Sequence, residues 1–246
     1  MKILITCSSD KSEQNVALNI IKYLINKGKD DFTVCVLDND KNIIRYLKSK
    51  KIFFVNKNIK FFLNKIKQNE FNWLLNLWGS RIFNQNFLNK FKNNLNIHPS
   101  FLPYNRGKDP YVWSIINETY KGVSLHKMDK TIDGGKIYIR KKLDLNFPIY
   151  GKDLYEASLK LSKTLFIQNW FKIRNGKIKP KKHRIKKIKV NKRINLLKTN
   201  IIDLDNQSFK KEKIFLFNIL ARDFKKFSFK IKYKKKIFNL KVNIFK

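Results

Sequence analysis

Short apolar runs alternate with amphipathic segments from the start of the chain. Residues 2–7 and 32–37 are apolar runs with strand character, and a polar turn follows the first of them at residues 8–10. Between the runs, Ser12 is a candidate helix cap and Gly28 a candidate helix end. Apolar residues recur there at helical spacing, at Ala17, Ile20, Ile21 and Leu24. This strand–helix–strand order predicts a doubly wound sheet.

The alternation continues to the middle of the chain. It predicts a crossover at 38–49, a strand at 52–55, a helix at 59–68, a strand at 71–78 and a short helix at 87–91, which leads into a strand carrying Asn96 and His98. The 71–78 run is apolar almost throughout, which is typical of a central strand that is covered on both faces. No G-x-G-x-x-G motif occurs, so the dinucleotide-binding fingerprint is absent.

The second half of the chain predicts further elements of both kinds. These are a helix at 112–117, strands at 122–128 and 136–145 with a loop at 129–135 between them, and a long helix that ends near residue 175. The second of these strands is a candidate antiparallel one, and Leu154, Ala157, Leu161 and Leu165 form the apolar face of the long helix. Beyond them we predict an apolar run at 201–205, a helix at 214–222 and a hairpin of strands at 227–233 and 237–245.

Length and composition indicate one sizeable domain and a small appendage. The chain has 246 residues, of which 43% are hydrophobic, enough to bury a core. Lys, Arg and His crowd together at 177–193, where apolar residues are scattered. We therefore predict an α/β main domain over 1–180, a basic connector over 181–195, and a small α+β segment ending in a hairpin over 196–246.

The formal net charge of +37 has two interpretations. A polyanionic partner, such as tRNA or a membrane surface, would attract such a chain. A general bias toward Lys, Asn, Ile and Phe would produce the same number. Lysines occur in predicted helices and strands throughout the chain and do not gather on one face or tail, which favours the bias. A nucleic-acid patch at 177–193 remains the alternative.

Cysteine use and the apolar segments indicate a cytoplasmic protein. Cys7 and Cys35 both lie in strand-like apolar runs, which predicts two small core residues in a reducing compartment. No CxxC or other metal-ligand spacing is present, so we expect no metal. The apolar start is too short for a signal peptide, and no run approaches the roughly 20 apolar residues that span a membrane.

The stretch from Asn96 to Asp133 carries the candidate chemistry. Asn96 and His98 are two residues apart, so on a strand their side chains point to the same side. The loop after them is stiffened by Pro99 and Pro103. Asp133 precedes Gly134-Gly135, where the backbone can turn sharply or approach a ligand. An amide, an imidazole and a carboxylate are therefore offered from short, stiff connections.

This pattern resembles the formyltransferase family that uses N10-formyltetrahydrofolate. The family signature is Asn-x-His-Pro-Ser-x-Leu-Pro with a later Asp-Gly, and residues 96–103 and 133–135 match it. The continuation Arg106-Gly107-x-x-Pro110-x-x-Trp113 is most similar to enzymes that formylate an amino sugar on a nucleotide. The resemblance covers roughly residues 1–180 and implies a Rossmann-like, mostly parallel sheet. The chain departs from the glycinamide ribonucleotide branch, whose Gly-Ser-Asn phosphate loop is missing after the first strand.

Formyl transfer needs an oxyanion donor, a proton shuttle and a group that fixes the shuttle's state. The resemblance assigns Asn96, His98 and Asp133 to the site, and their chemistry agrees. Asn96 supplies an N–H donor, of a kind that contributes about 3 kcal/mol in other enzymes. His98 can take the proton of the attacking amine. Asp133 can hold the imidazole, stabilise its cation, or relay protons through water; which of these groups is the formal base stays open.

The resemblance also implies binding residues. The folate cosubstrate, N10-formyltetrahydrofolate, would lie against Arg81, Ile82, Phe83, Asp129 and Ile132. The nucleotide-linked amino sugar would contact Ser100, Tyr104, Asn105, Arg106, Lys108 and Trp113, of which Trp113 is equally suited to a helix-face core position. His126 is interpreted as a structural residue and His183 as a solvated one.

Three functions compete at this point. The first is a nucleotide-sugar N-formyltransferase that serves surface-polysaccharide synthesis and pairs as a homodimer, as relatives often do. The second is methionyl-tRNA formyltransferase, which the positive charge favours and the short segment after the connector disfavours. The third is a basic nucleic-acid-binding protein on an inactive transferase fold, against which the intact Asn96, His98 and Asp133 speak.

Overall fold

The structure is a computed structural model, and it describes residues 1–28, 30–79, 81–146, 149–183, 189–197, 207–220, 229–233 and 236–240. The chain divides into two compact units, Met1–Arg193 and Ile194–Lys246. In the described part of the chain, no helix combines the length and the apolar character needed to cross a membrane.

The first unit is built on a seven-stranded sheet with the order β3-β2-β1-β4-β5-β6-β7. The strands are β1 Lys2–Cys7, β2 Asp31–Val36, β3 Phe54–Val55, β4 Trp73–Leu77, β5 Asn93–His98, β6 Gly122–His126 and β7 Ile137–Lys142. The pairs from β3 to β5 are parallel, and β6 runs antiparallel to both β5 and β7. The predicted doubly wound, mostly parallel sheet is confirmed.

Helices connect the strands and cover the sheet. They are α1 Val16–Lys27, α2 Lys41–Ser49, α3 Ile59–Lys65, α4 Gln85–Leu88, α5 Pro110–Ile116 and α6 Gly151–Arg174, and a further short helix, α7 Arg193–Leu197, begins at the last residue of the first unit. The larger core includes Ile3 and Ile5 of β1 with residues of α1 and α6, and the smaller core includes Leu4 with residues of α3 and α4. Neighbouring residues of β1 thus enter different cores, as the period-two alternation of a strand requires.

Polar residues replace apolar ones where the central strands end. Thr6, Asn76 and Asn96 lie near the carboxyl ends of β1, β4 and β5, and all three are buried. After β1 the chain continues to β2 on one side of the sheet, and after β4 it continues to β5 on the other side. The strand order therefore reverses between β1 and β4. Open α/β sheets bind their ligands at such a point, outside the carboxyl ends of the strands.

The start of α1 differs from the prediction that Ser12 caps it. The helix begins at Val16, and the Asn15 side chain accepts a hydrogen bond of 3.1 Å from the Leu18 backbone N–H. Ser12 instead donates through its backbone N–H and its hydroxyl to the Asp10 carboxylate, at 2.8 and 2.6 Å. The same carboxylate accepts from the Val16 backbone N–H at 2.7 Å, so Asp10 organises the whole turn.

The buried face of α6 also differs from the predicted stripe. Leu154 and Leu165 are buried as expected, whereas Ala157 and Leu161 are only half-buried. The fully buried face includes Ser158, Leu159, Ser162, Phe166, Asn169, Trp170 and Ile173. This helix contacts α1, α5 and β6, so it buries a wider face than a helix packed on one partner. Trp170 meets Trp73 of β4 edge to face, with ring centroids 5.1 Å apart.

Part of the predicted connector, residues 181–195, is joined to the first unit. Lys181 pairs with Ile137 through two backbone hydrogen bonds of 2.9 Å, and residues up to Arg193 belong to the first unit. The unit boundary at 193 therefore lies inside the predicted range 181–195. Backbone bonds to the sheet edge explain the difference, because composition does not reveal them.

The second unit contains a 3-10 helix, Gln207–Phe209, then α8 Lys210–Leu220, and the antiparallel hairpin of β8 Phe229–Tyr233 with β9 Lys236–Leu240. Phe229 stands opposite Leu240 in this hairpin. The predicted helix and hairpin are present, with the helix beginning at Lys210 and the second strand at Lys236, and the predicted ends at 221–222, 227–228 and 241–245 lie outside the described residues. The predicted apolar run at 201–205 lies outside the described residues.

Candidate active site

The three candidate groups lie together at the carboxyl end of β5. Asn96 and His98 project to the same side of β5 and are 8% and 5% exposed. The loop after β6 brings Asp133 against them. Its Oδ1 lies 3.5 Å from Asn96 Nδ2, and its Oδ2 lies 3.6 Å from His98 Nδ1. The structure therefore places an amide, an imidazole and a carboxylate within direct reach of one another.

Contacts from the loop after His98 hold Asp133 in place. The Gly107 backbone N–H donates to Asp133 Oδ2 at 3.0 Å, and Arg106 Nε donates to the Ile132 carbonyl at 2.7 Å. Asp133 has a positive φ of 47°, a conformation that costs free energy and persists where the surroundings enforce it. A Cβ on Gly135 would lie 1.8 Å from the Lys127 carbonyl oxygen, so the loop needs glycine there.

The hydrogen bonds of His98 determine which of its ring nitrogens carries the proton. His98 Nε2 lies 3.1 Å from the Asn105 carbonyl oxygen, which can only accept. Nε2 is therefore the N–H of the neutral ring, and Nδ1 presents its lone pair toward Asp133. A proton taken up by His98 would arrive at Nδ1, directly beside the carboxylate.

Burial and charge shift the pKa values of His98 and Asp133. Burial lowers the pKa of His98 below its ordinary value, although the nearby Asp133 carboxylate opposes the shift. For Asp133, burial favours the neutral acid, but the positive charge of His98 and further contacts with His126 and the Gly107 N–H outweigh it. The pKa of Asp133 is thus held well below its usual range. At neutral pH the site presents a carboxylate beside a neutral imidazole.

His126 belongs to the same cluster, although the sequence indicated a structural role. It is 1% exposed, its Nε2 lies 2.9 Å from Asn96 Nδ2, and the same nitrogen lies 3.6 Å from Asp133 Oδ1. The residue stands opposite Asn96 in the β5–β6 pairing. The antiparallel register decides this position, so no local sequence signal could have revealed it.

A cleft of about 490 Å³ opens beside these groups. It falls in the range of roughly 300–1,000 Å³ that small-molecule sites occupy. Asn96, His98, His126 and Asp133 are among its lining residues. All five residues predicted for the folate also line it, namely Arg81, Ile82, Phe83, Asp129 and Ile132.

Of the six residues predicted for the second substrate, Lys108 lines the cleft and five do not. Ser100 donates to the Tyr104 carbonyl at 2.8 Å, and the Asn105 side chain donates to Thr119 at 2.6 Å. Ser100 thus bonds to the backbone of its own loop, and Asn105 bonds to a residue that follows α5.

The remaining three, Tyr104, Arg106 and Trp113, do not line the cleft either. The Tyr104 ring packs on Tyr120, with centroids 5.6 Å apart, and Arg106 is turned to the Asp133 loop. Trp113 is half-buried on α5 with its indole nitrogen enclosed. Substrate contact by Ser100, Tyr104, Asn105, Arg106 and Trp113 stays a prediction that this placement does not favour.

The connector supplies part of the cleft wall, which the sequence did not indicate. Val190, Asn191, Lys192 and Arg193 all line the cleft. Asn191 pairs with the loop after β5, because its N–H donates to the Arg106 carbonyl at 2.8 Å and its carbonyl accepts from the Lys108 N–H at 3.0 Å. Arg193 then forms a bidentate pair with Asp109 at 2.6 and 2.8 Å.

No group of three or more His, Cys, Asp and Glu side chains in the described residues is arranged to hold a metal ion. Cys7 and Cys35 are free and buried in the core, and burial raises the pKa of both thiols, that of Cys35 to about 12. Neither thiol is therefore an available nucleophile at neutral pH.

Comparison with known proteins identifies the domain. Residues 63–169 match the family model described as formyl transferase. An 82-residue alignment is 32% identical to the dTDP-4-amino-4,6-dideoxyglucose formyltransferase of Mycobacterium tuberculosis, over 33% of this chain and 35% of that protein. The chain thus matches about a third of the length of this relative. A longer alignment to the methionyl-tRNA formyltransferase of Borreliella afzelii is 27% identical over 72% of this chain and 58% of that protein.

Solved structures share the fold. The N-formyltransferase from Helicobacter canadensis, in complex with folinic acid and dTDP-3-aminofucose, superposes with a TM-score of 0.68 at 22% identity, over 96% of this chain and 85% of that one. The match to the family model includes β5, β6 and the Asp133 loop, so it spans the residues that form the cluster. Residues 63–169 of the chain therefore match a formyl transferase domain, and the chain shares its fold with solved N-formyltransferases.

Proposed function

We propose that this chain transfers a formyl group from N10-formyltetrahydrofolate to the amino group of a nucleotide-linked amino sugar. The observation that carries the proposal is the cluster of Asn96, His98 and Asp133 at the wall of an open cleft. A donor, a neutral base and a half-buried carboxylate meet there, as acyl transfer to an amine requires.

Each group has a defined task in this chemistry. The bound folate supplies an activated formyl carbon. Asn96 Nδ2 donates to the formyl oxygen, where negative charge develops. His98 Nδ1 accepts the proton of the attacking amine, and Asp133 stabilises the imidazolium that results. Asp133 is the residue through which the proton returns to the leaving nitrogen.

One group of lining residues fits a folate. Ile82 and Ile132 are 72% and 39% exposed, and both line the cleft. Two exposed apolar side chains beside a polar cluster suit a ligand with a flat aromatic ring and a hydrogen-bonding edge. Phe83 stacks on Phe87 at 5.1 Å, which anchors this wall in the smaller core.

A second group of lining residues fits a nucleoside diphosphate. Trp78, Tyr111 and Tyr155 line the cleft as a connected aromatic wall, with Tyr155 centroids 6.4 Å from Trp78 and 5.0 Å from Tyr111. Lys108 and Lys192 provide cations at the same cleft. Aromatic faces suit a base or sugar, and ammonium groups suit phosphates. The complex of the Helicobacter canadensis relative with a dTDP-amino sugar supports this class of substrate.

The alternative function is that of a methionyl-tRNA formyltransferase, in which the amine acceptor is an aminoacylated tRNA. The 189-residue alignment to the Borreliella afzelii enzyme and the net charge of +37 favour it. The sugar relatives match at higher identity over a shorter segment. A basic nucleic-acid-binding protein on an inactive fold is the third hypothesis, and the preserved cluster argues against it.

A direct assay separates these hypotheses. The protein is mixed with N10-formyltetrahydrofolate and, in parallel, with nucleotide-linked 3- or 4-amino sugars or with aminoacylated initiator tRNA, and tetrahydrofolate release is followed. We expect release with at least one amino sugar and none with tRNA. Tetrahydrofolate release with tRNA alone would instead support a methionyl-tRNA formyltransferase. Nucleic-acid binding with steep salt dependence and no folate binding would establish the third hypothesis.

Three further statements stay predictions of this proposal. They are a cytoplasmic location, where the folate cosubstrate is available, a role in surface-polysaccharide synthesis, and assembly as a homodimer. Sedimentation of the full chain would measure the last of these directly.

A further inference from the structure

Four buried polar side chains form a row across the centre of the sheet. Thr6, Asn76, Asn96 and His126 lie on four adjacent strands, and each stands opposite the next in the strand register. All four are buried, with exposures from 0% to 8%. We call these residues the polar row. Such a row is costly inside a protein unless every group is hydrogen-bonded.

The row is connected by hydrogen bonds from end to end. The Thr6 hydroxyl donates to Asn76 Oδ1 at 2.8 Å, and Asn76 Nδ2 donates to Asn96 Oδ1 at 2.8 Å. Asn96 Nδ2 then lies 2.9 Å from His126 Nε2. Each group therefore bonds to its neighbour in the row through side-chain atoms alone.

Backbone carbonyls at two points determine the direction of the row. Asn76 Nδ2 donates to the Gly79 carbonyl at 3.1 Å, which requires the nitrogen on that side. His126 Nδ1 lies 3.0 Å from the Lys127 carbonyl, so Nδ1 carries the proton and Nε2 accepts. With these two residues oriented, Asn96 can satisfy both neighbours in one way only, with its oxygen toward Asn76 and its nitrogen toward His126.

This orientation leaves one N–H of Asn96 without a partner in the row. The first hydrogen of Asn96 Nδ2 goes to His126, and the second is directed toward Asp133 Oδ1, which is 3.5 Å away. That distance is too long for a strong bond. The second hydrogen is thus available to an oxygen that enters the cleft beside Asp133.

We propose that Thr6, Asn76 and His126 are positioning residues, which hold the Asn96 amide with its N–H toward the reacting oxygen. The inference rests on the proposed function, since it assigns Asn96 the oxyanion-donor role. A reversed amide would present its oxygen to the developing negative charge and oppose the reaction. Preorganised donors are effective because they need no rearrangement during the chemical step.

The kinetic test uses Asn76→Leu, which keeps the side-chain size and removes the amide. We expect kcat to fall by about 10- to 100-fold, with KM for both substrates changed by less than about 3-fold, because the effect arises in the transition state. Thr6→Val should lower kcat less, and Thr6→Ser should keep it. Ser158→Ala is the matched control, because it removes a buried hydroxyl that donates to Leu154 at 2.7 Å, on a helix outside the row.

A double-variant cycle separates positioning from general damage. If Asn76 acts through Asn96, then Asn76→Leu in an Asn96→Ala background should change kcat by less than about 2-fold. An equal loss in both backgrounds would overturn the proposal. If Asn76→Leu does not fold, the same cycle with Thr6→Val decides, since that change is nearly isosteric.

A measurement without substrates keeps this inference apart from the proposed function. In ¹⁵N-asparagine-labelled protein, one Asn96 amide hydrogen should exchange with water more slowly than the other, and Asn76→Leu should remove the difference. Equal exchange of both hydrogens in the wild-type protein would refute the row. Unequal exchange together with no tetrahydrofolate release from any acceptor would instead refute the proposed function alone.

Discussion

At the scale of single residues, the site depends on which nitrogen of each imidazole carries a hydrogen. His98 and His126 each give one ring N–H to a backbone carbonyl, of Asn105 and Lys127, and each turns its other nitrogen toward Asp133. Carbonyl oxygens cannot donate, so the backbone selects both tautomers. Because His126 Nε2 already accepts from Asn96, His98 Nδ1 is the ring nitrogen left to take a proton from a substrate.

Removal of either reacting group should abolish most of the turnover. We expect His98→Ala and Asp133→Asn each to lower kcat by at least about 100-fold, which is the usual scale for lost acid–base catalysis. Asp144→Asn is the matched control, because it removes an exposed carboxylate that lies outside the cleft. Steady-state tetrahydrofolate release measures all three. Near-normal kcat in both site variants would remove His98 and Asp133 from the mechanism.

The pH dependence of turnover should report the base. Burial lowers the pKa of His98, so the neutral, proton-accepting form persists below the ordinary value of about 6.5. We therefore expect kcat/KM to rise with pH through an apparent pKa below 6.5 and then to stay level near neutrality. An inflection above 7 would contradict this assignment. The pH profile of kcat/KM in a mixed buffer of constant ionic strength provides the measurement.

At the scale of elements, Gly107 links the connector to the carboxylate of Asp133. Its N–H donates to Asp133, and its Cα faces the backbone of Asn191 so closely that a Cβ would lie 2.3 Å from the Asn191 oxygen. Its φ of 94° is also one that other residues rarely adopt. One residue therefore joins the loop after β5, the Asp133 loop and the segment 189–193.

Gly107→Ala should lower both stability and turnover. We expect a loss of more than about 1–2 kcal/mol in the free energy of unfolding, since positive φ and steric crowding act together. Gly176→Ala is the matched control, because Gly176 also has a positive φ, of 73°, but nothing within 4 Å of an added Cβ. Denaturant titration and kcat of both variants test this. Equal effects in the two variants would show that the contact with Asn191 is unimportant.

At the scale of the whole molecule, ionisable groups are unevenly distributed between the surface and the interior. The net charge is +37, yet the described ion pairs with a buried or half-buried partner are few and involve Asp30, Asp109 and Asp133. Surface charge of one sign keeps a protein soluble but repels itself. The cluster of Asp133 with His98 and His126 is a place where pH couples to folding, because His98 and Asp133 have shifted pKa values there.

Stability should fall as the solution becomes acidic. His98 has a lowered pKa in the folded protein, so its contribution is complete above about 6.5 and declines as pH falls through the folded value. Asp133 also has a lowered pKa, so its contribution is complete above about 3.9 and declines at still lower pH. In both cases the unfolded chain binds more protons, which favours unfolding in acid.

The His98→Gln variant should lose the part of the pH dependence of stability that arises from His98. We expect the difference in unfolding free energy between wild type and variant to shift in favour of the variant as pH falls from 7 to 5. Urea titrations at several pH values measure it. A constant difference over this range would show that His98 titrates alike in the folded and unfolded chain.

Local patterns were sufficient to predict most elements and to single out the three candidate groups that the structure brings together. Alternation of apolar residues identified the strands, and the spacing of Asn96 and His98 placed them on one side of β5, because both properties depend on neighbours in the chain. Proline and glycine marked the loops for the same local reason. The cap at Asn15 and the wide buried face of α6 were missed, since competing hydrogen bonds and several packing partners decided them.

Tertiary structure alone brought Thr6, Asn76 and His126 to Asn96, and the segment 189–193 to the cleft. These residues are up to 120 positions apart along the chain, from Thr6 to His126, and they meet because strand order and register align them. Tertiary structure also decides the hydrogen bond from Arg106 to the Ile132 carbonyl, because the two residues are 26 positions apart. A linear pattern specifies which face a residue occupies on its own element, whereas packing of the whole domain selects the neighbour on that face.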